Sequence, residues 1–195
     1  ESFVEIVDAK KLQLVTRRES QTEPPNYYLR DLNNDKLEPL TTFPDPAPQL
    51  AGLSKELITY QRADGVDLTG TLYLPPGYDR ERDGRLPVLM WAYPTEFKSK
   101  KDAGQVTDSP YRFTRVGWYS PMLYLTLGYA VFDDPTMPII GEGEEEPNDT
   151  FIEQLVMSAQ AAVDVVVARG VGDRERMAIG GHSYGAFMAA NLLAH

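Results

Sequence analysis

The chain has 195 residues and a formal net charge of −10 at pH 7, with 42% hydrophobic and 25% charged residues. This length suits one domain with a sizeable core, or a small module joined to part of a larger one. The acidic balance argues against a nucleic-acid partner, and no apolar run approaches the roughly 20 residues that span a bilayer. The absence of cysteine excludes disulfides, thiolate metal sites and a cysteine nucleophile.

The first 53 residues have the pattern of short β-strands followed by a proline-rich linker. Apolar and polar residues alternate in "KLQLVTRRES" and "NYYLRDL", and "NND" at Asn33–Asp35 predicts a hairpin turn into "KLEPLT". The prolines of "FPDPAPQ" disfavour a helix or a central strand and indicate a connecting arm. Because two or three strands are not stable alone, we expect residues 1–53 to end a larger all-β domain.

From residue 54 onward the pattern changes to alternating strands and helices. "ELITYQ" and "VDLTGTLYL" flank the turn formers Asp64 and Gly65, which predicts an antiparallel hairpin. "LPVLMWAY" and "YAVFDD" are apolar enough for buried strands, with a helix in "YSPMLYLTLG" ending at Gly128. We expect a loop from Pro135 to Pro147.

Two further helices complete the pattern. Asn148 or Asp149 is expected to cap the first of them, which ends near Gly170. Its apolar stripe has near-helical spacing and consists of Ile152, Leu155, Val156, Ala159, Val163, Val166 and Val167. The strand "RMAIG" and the helix "YGAFMAANLLAH" follow. This succession predicts an α/β fold with a mainly parallel sheet and helices on both faces.

The stretch "GGHSYGAFM" has the form Gly-x-Ser-x-Gly, between a short strand and a helix. A nucleophilic serine requires this setting, because a strained turn exposes its hydroxyl above the sheet. Gly181 and Gly185 would let strand and helix pass closely. Ser183 is therefore the candidate nucleophile, and the backbone amide of Tyr184 a candidate donor to an oxyanion. The alternative is a glycine-rich turn in which Ser183 only caps the helix.

A serine nucleophile needs a general base, usually a histidine oriented by a carboxylate. The chain has two histidines, of which His182 should point out of the turn in another direction. His195 lies about 18 Å along the helix from Ser183 at 1.5 Å per residue. Neither suits the role. We therefore expect the catalytic aspartate and histidine beyond residue 195, the 195 residues to be a fragment, and the isolated fragment to be inactive.

Several stretches resemble the prolyl oligopeptidase family of serine peptidases. "GGHSYGAFM", preceded by "VGDRERMAI", is similar to the nucleophile region of that family, and "ADGVDLTGTLYLPPGYD" to its junction of β-propeller and hydrolase domain. "WAYPTEFKSKKDAGQV" and "PIIGEGEEEPNDTFIEQLV" resemble the glutamyl endopeptidase subgroup, with plant chloroplast members and bacterial relatives. The resemblance implies that residues 1–53 end a β-propeller and that residues 54–195 are the first half of an α/β-hydrolase domain.

The same resemblance assigns roles to individual residues. Ser183 matches the nucleophile, and the Tyr184 amide one oxyanion donor. Tyr93 matches a tyrosine whose hydroxyl is the second donor, although Pro94 and Thr95 stand where many relatives have glycines. The alternative for Tyr93 is simple packing at a strand end.

A preference for glutamate, implied by the subgroup, would require cationic groups in the substrate pocket. Five residues supply such charges without one standing out, namely Lys98, Lys100, Lys101, Arg112 and Arg115. The acidic run "GEGEEEPND" lacks the ligand spacing of an EF-hand and is interpreted as a solvated loop.

The sequence therefore predicts a serine peptidase that forms an acyl-enzyme on Ser183, with no cofactor and no metal. Its partners would be a peptide substrate and the rest of its own polypeptide, with neither nucleic acid nor membrane. A carboxylic-ester hydrolase of the same fold and a non-catalytic peptide-binding or structural module are the alternatives. The resemblance implies a soluble protein, in the cytoplasm if bacterial or the chloroplast stroma if from a plant.

Overall fold

The computed structural model describes residues 1–106 and 109–195, and these form two compact units. The first unit comprises Glu1–Ala51 together with Ser109–Val116. The second comprises the other described residues from Gly52 to His195.

The first unit contains an antiparallel sheet in the order β1-β2-β3-β4. Its strands are β1 Ser2–Asp8, β2 Gln13–Arg18, β3 Asn26–Asp31 and β4 Lys36–Pro39. The turn predicted at Asn33–Asp35 joins β3 to β4, and Asp35 adopts a φ of 54°, which aspartate tolerates better than most residues. Strand β1 shows no alternation of buried and exposed residues. Its apolar side chains occupy adjacent positions and are exposed on both faces of the strand.

The second unit contains a five-stranded sheet, a two-stranded sheet and four α-helices among its described residues. Its strands are β5 Ser54–Gln61, β6 Asp67–Leu74, β7 Leu86–Trp91, β8 Pro94–Phe97, β9 Ala130–Asp133, β10 Met137–Ile140 and β11 Gly172–Gly180. Its helices are α1 Arg80–Asp83, α2 Lys100–Ala103, α3 Phe151–Ala168 and α4 Tyr184–Ala194. The helix expected before Gly128 is a 3-10 helix, Pro121–Leu127, and Gly128 ends it in the left-handed conformation.

The five-stranded sheet has the order β11-β7-β9-β6-β5. Strands β11, β7 and β9 are parallel, whereas β6 is antiparallel to β9 and β5 is antiparallel to β6. The expected mainly parallel sheet is therefore a mixed one. The reason is that β5 and β6, the hairpin that turns at Asp64 and Gly65, belong to the same sheet. They lie next to each other at one end of it, and β6 pairs with β9 in the antiparallel direction.

The region from Pro135 to Pro147, expected to be a loop, contains strand β10. It pairs in parallel with β8, with Met137 opposite Pro94 and Ile140 opposite Phe97. Two strands that each contain proline form a small sheet with free edges, where proline is tolerated. Because the prolines mask the strand pattern, the sequence does not predict this sheet.

Helical segments cover both faces of the five-stranded sheet. Val88 and Phe132 belong to the core cluster that includes Leu155 of α3 and Met188 of α4. Alternate strand residues such as Val131 point to the opposite face, where the 3-10 helix contacts β6, β7 and β9. Strand β7, which leads to the candidate site, is thus packed against helical segments on both faces of the sheet.

Helix α3 begins differently from the prediction. Residues Pro147–Thr150 form a 3-10 turn, and the carboxylate of Asp149 accepts a hydrogen bond from the amide of Glu146 at 3.3 Å. Glu146 is the N-cap of this turn and Thr150 is the N-cap of α3, so the assignment of the helix cap to Asn148 or Asp149 is wrong. Pro147 explains the shift, since its fixed φ suits a first helical position.

By length and composition alone, the segment Pro147–Ala168 is apolar enough to cross a membrane, whereas the sequence pattern indicated no apolar run of that length. The buried core helix of a soluble protein passes the same test. Here Leu155 and Val166 pack into the core cluster of the sheet.

The hairpin turn is anchored by Arg62, a side chain that the sequence pattern does not distinguish. Only 3% of Arg62 is exposed, and its guanidinium donates to the Asp64 carboxylate at 2.8 and 2.9 Å. It also donates to the carbonyl of Pro138, to Ser158 Oγ and to Gln154 Oε1. This network connects the β5–β6 hairpin to β10 and α3.

Candidate active site

The predicted strand-to-helix turn is present between β11 and α4. Ser183 occupies it with φ 55° and ψ −114°, a conformation that residues other than glycine rarely adopt. The amide of Gly185 donates to the carbonyl of His182, and that of Ala186 to the carbonyl of Ser183, both at 2.9 Å. The backbone of Ser183 is thus held in a strained form by a well-bonded turn.

The two glycines of the motif permit a close approach to the end of β7. A Cβ placed on Gly181 would lie 2.5 Å from the carbonyl oxygen of Ala92 and 2.7 Å from Gly185 Cα. A Cβ on Gly185 would overlap the same Ala92 oxygen. The turn therefore accepts no side chain at either position without moving away from β7.

The Ser183 side chain is exposed and makes no capping hydrogen bond to α4. The alternative of a purely capping serine is therefore wrong for this structure. The first N–H groups of a helix have no partner within it, so the Tyr184 amide is positioned to donate to an external oxygen. Both groups lie at the carboxyl end of β11.

Tyr93 lies directly beyond β7, close to this turn. Its side chain is 48% exposed and its ring meets that of Tyr184 edge-on, at 5.9 Å between centroids. The Tyr184 ring stacks on Phe151 at 5.7 Å and on Phe187 at 6.0 Å. The structure thus brings Tyr93 and Tyr184 together.

Glu96 is a neighbour of this aromatic group that sequence reasoning missed. Burial is the main cause that raises the pKa of the Tyr184 hydroxyl, and the nearby Glu96 carboxylate raises it further. No local pattern marks Glu96, because its partner is far along the chain.

His182 lies against two rings from the segment before the 3-10 helix. The His182 ring is 5.8 Å from that of Tyr119 and 6.3 Å from that of Trp118. His195 lies at the other end of α4, where its amide donates to Asn191. These contacts place neither the His182 nor the His195 imidazole against the Ser183 hydroxyl.

Four of the five candidate cations for an acidic substrate have partners of their own. Lys98 pairs with Glu146 at 3.1 Å, and Lys100 lies 4.0 Å from Asp64. In the first unit, Arg115 lies 3.7 Å from Glu19. Arg112 also has a partner, and Lys101 is exposed. Within residues 1–106 and 109–195, no group of three or more histidines or carboxylates could hold a metal ion.

Comparison with solved structures shows which class of fold this is. A prolyl endopeptidase structure superposes with a TM-score of 0.60 at 19% identity, over 94% of this chain and 25% of its own. Oligopeptidase B from Trypanosoma brucei superposes with a TM-score of 0.59 at 15% identity, over 93% and 24%. These similarities show that the chain has the same fold as about a quarter of each of these two proteins.

Sequence comparison narrows the relationship. The chain is 58% identical over 186 residues to proteins named probable glutamyl endopeptidase, chloroplastic, from Oryza sativa subsp. japonica and Arabidopsis thaliana. The match covers 95% of this chain but only 20% and 19% of those two proteins. No family model matches the chain. The resemblance to the prolyl oligopeptidase family, and within it to glutamyl endopeptidases, is therefore confirmed for the part of those proteins that this chain covers.

Proposed function

We propose that the chain carries the nucleophile and the oxyanion donors of a serine peptidase. Ser183 attacks the carbonyl of a peptide bond and forms an acyl-enzyme, which water then hydrolyses. The Tyr184 amide and the Tyr93 hydroxyl stabilise the negative charge that develops on the carbonyl oxygen. The observation that carries this proposal is the exposed, uncapped Ser183 at φ 55° between β11 and α4.

The general base and its carboxylate partner are proposed to come from outside these 195 residues. His182 contacts Trp118 and Tyr119, and His195 is separated from Ser183 by the length of α4. The chain also spans about a fifth of the length of its curated relatives. In this proposal, residues 54–195 are the first half of an α/β-hydrolase domain and residues 1–53 end a β-propeller.

We further propose a preference for glutamate on the acyl side of the cleaved bond, and the name glutamyl endopeptidase given to the relatives supports it. The ion pairs of Lys98, Lys100 and Arg115 weaken each of them as an unoccupied anion site. We therefore propose that none of these three is the cation that binds a substrate glutamate. The relatives' designation as chloroplastic supports the same compartment if this protein comes from a plant.

Labelling by a fluorophosphonate, followed by mass spectrometry of the full-length protein, tests the nucleophile. We expect phosphonylation of Ser183, and loss of labelling and peptide hydrolysis in Ser183→Ala by at least ~10³-fold. Ser120→Ala is the matched control, because Ser120 Oγ accepts from the Met122 amide in another turn. Unchanged hydrolysis in Ser183→Ala would refute the assignment.

The substrate arms of this experiment distinguish the alternatives. Matched peptides with Glu, Gln or Ala before the cleaved bond are compared with simple carboxylic esters. Faster cleavage of the Glu peptide supports the glutamate preference, and cleavage of esters alone supports an esterase. A protein that binds these peptides but is not labelled at Ser183 would be a binding module.

A further inference from the structure

Three aromatic side chains of the second unit lie together at the surface beside the candidate nucleophile. The Trp118 and Tyr119 rings meet edge-on at 5.0 Å between centroids. The His182 ring lies 5.8 Å from that of Tyr119 and 6.3 Å from that of Trp118. These separations fall within the range of favourable contacts between aromatic rings. Because His182 directly precedes Ser183, this three-ring cluster is next to the nucleophile in the turn.

The three-ring cluster is largely open to solvent. Trp118 is 88% exposed and Tyr119 is 55% exposed, and His182 and Ser183 are exposed as well. Tryptophan is on average a highly buried residue, because its ring has a large apolar surface. Exposed apolar surface beside a candidate active site is typical of a place where a ligand binds.

The backbone that carries Trp118 and Tyr119 is fixed in place. The Ser120 amide donates to the Gly117 carbonyl at 3.1 Å, which closes a four-residue turn with the two aromatic residues at its centre. The 3-10 helix begins directly after this turn and packs against β6, β7 and β9. A ligand that contacts the rings therefore binds a surface that is largely formed in advance, which lowers the entropy lost on binding.

We propose that the three-ring cluster is the subsite for the substrate residue on the leaving side of the cleaved bond, and that it prefers a large apolar or aromatic side chain. The inference rests on the proposed function, because it takes Ser183 as the nucleophile and glutamate as the acyl-side residue. The two residues that flank the cleaved bond lie nearest the nucleophile. The face of an aromatic ring carries partial negative charge and does not favour a carboxylate, so the rings suit the leaving-side residue better than the glutamate.

The test uses two peptides with the same glutamyl acyl part, which differ only in having phenylalanine or alanine after the cleaved bond. We expect the full-length wild type to cleave the phenylalanine peptide with a kcat/KM roughly tenfold higher, because the rings remove part of that side chain from water. In Trp118→Ala this ratio should fall to within about twofold. Trp118→Phe keeps an aromatic face and should recover most of the ratio.

A second substrate separates leaving-side binding from a general loss of activity. A methyl ester of the same glutamyl acyl part forms the same acyl-enzyme but has no residue after the cleaved bond. Trp118→Ala should therefore hydrolyse this ester within about twofold of the wild-type rate. Leu127→Ala is the matched control, since it removes a 70% exposed apolar side chain at the other end of the 3-10 helix and should keep the peptide ratio.

Three results would overturn the inference. The first is an unchanged peptide ratio in Trp118→Ala, and the second is an equal loss on both peptides and the ester. The third is a wild-type preference for lysine or glutamate over phenylalanine after the cleaved bond. Thermal unfolding checks that each variant is folded. If Trp118→Ala is unstable, Tyr119→Ala repeats the test with the tryptophan in place and should also lower the ratio.

Failure of this inference is distinguishable from failure of the proposed function. If Ser183→Ala abolishes hydrolysis while Trp118→Ala and Tyr119→Ala keep the wild-type peptide ratio, only the subsite is wrong. If Ser183→Ala retains hydrolysis, the nucleophile itself is wrong.

Discussion

At the scale of single residues, the turn around Ser183 depends on the absence of a side chain at Gly181 and at Gly185. Both positions face the carbonyl of Ala92 at van der Waals contact, where no Cβ fits. The motif spacing predicted Ser183 and these glycines, because the requirement is local in sequence. The proximity of Glu96 to Tyr184 could not be predicted in this way, since folding brings the two residues together from distant parts of the chain.

A Gly185→Ala substitution tests the close contact. Alanine favours a helix by roughly 1 kcal/mol over glycine, so propensity alone predicts stabilisation. The added Cβ would overlap the Ala92 oxygen, and we expect overpacking to outweigh propensity by about 1–2 kcal/mol of unfolding free energy. Urea denaturation measures the stability, and the fluorophosphonate labelling rate should fall with it.

The control for this prediction is Gly117→Ala. A Cβ at Gly117 meets nothing within 4 Å, so its stability should equal or exceed that of wild type. A Gly185→Ala protein as stable and as readily labelled as wild type would show that the turn tolerates a side chain.

At the scale of elements, the buried Arg62 network explains how the hairpin stays attached to α3. The Arg62 guanidinium is buried and charged, and Asp64 is the carboxylate that pairs with it at 2.8 Å. Gln154 fixes the same region to β10, since it both accepts from the Ile140 amide and donates to the Ile140 carbonyl. The turn formers Asp64 and Gly65 predicted the hairpin, but this anchoring needs residues from three separate elements.

We expect Asp64→Asn to lower the unfolding free energy at neutral pH by about 3 kcal/mol, because it leaves a buried guanidinium without its counter-ion. The hydrogen bond from Arg62 is the main cause that lowers the pKa of Asp64 below 3.8. A lowered folded-state pKa stabilises the protein above pH 3.8, and this stability is lost as the pH falls through the folded value. The difference between wild type and Asp64→Asn should therefore shrink in acid, as measured by urea denaturation across pH.

Glu56→Gln provides the comparison, since Glu56 pairs with Arg169 at 2.8 Å but both side chains are substantially exposed. Exposed pairs contribute little, so its stability should stay near wild type at every pH. An equal loss in both variants, or a loss in Asp64→Asn that persists in strong acid, would contradict a specific role for the Arg62 pair.

At the scale of the whole molecule, locally encoded features were predicted best. The β5–β6 hairpin, the strands β7 and β9 and the helix after Ser183 each have a clear pattern within a few residues. The β8–β10 pairing was missed, because it joins distant segments whose prolines hide strand character. The mixed sheet was missed for a related reason, since strand direction depends on how the hairpin docks on β9.

The source of the general base is also a property of the whole molecule. Ser183 is exposed, and its hydroxyl makes no capping hydrogen bond to α4. The contacts of the chain's two histidines do not place either imidazole against this hydroxyl. We expect His195→Ala in the full-length protein to hydrolyse peptides at the wild-type rate, because about 18 Å of helix separates it from Ser183. The 195-residue chain by itself should show no hydrolysis, since a serine without a base is a poor nucleophile.

The absence of hydrolysis by the 195-residue chain is informative about the general base only if that chain is folded. Circular dichroism checks this, because a folded chain shows helix and strand. Loss of hydrolysis in full-length His195→Ala, with folding intact, would mean that the base lies on α4. Turnover by the folded 195-residue chain would likewise show that the described residues hold a base of their own. Retained activity in His195→Ala together with an inactive, folded 195-residue chain would locate the base outside these residues, as the contacts of His182 and the length of α4 require.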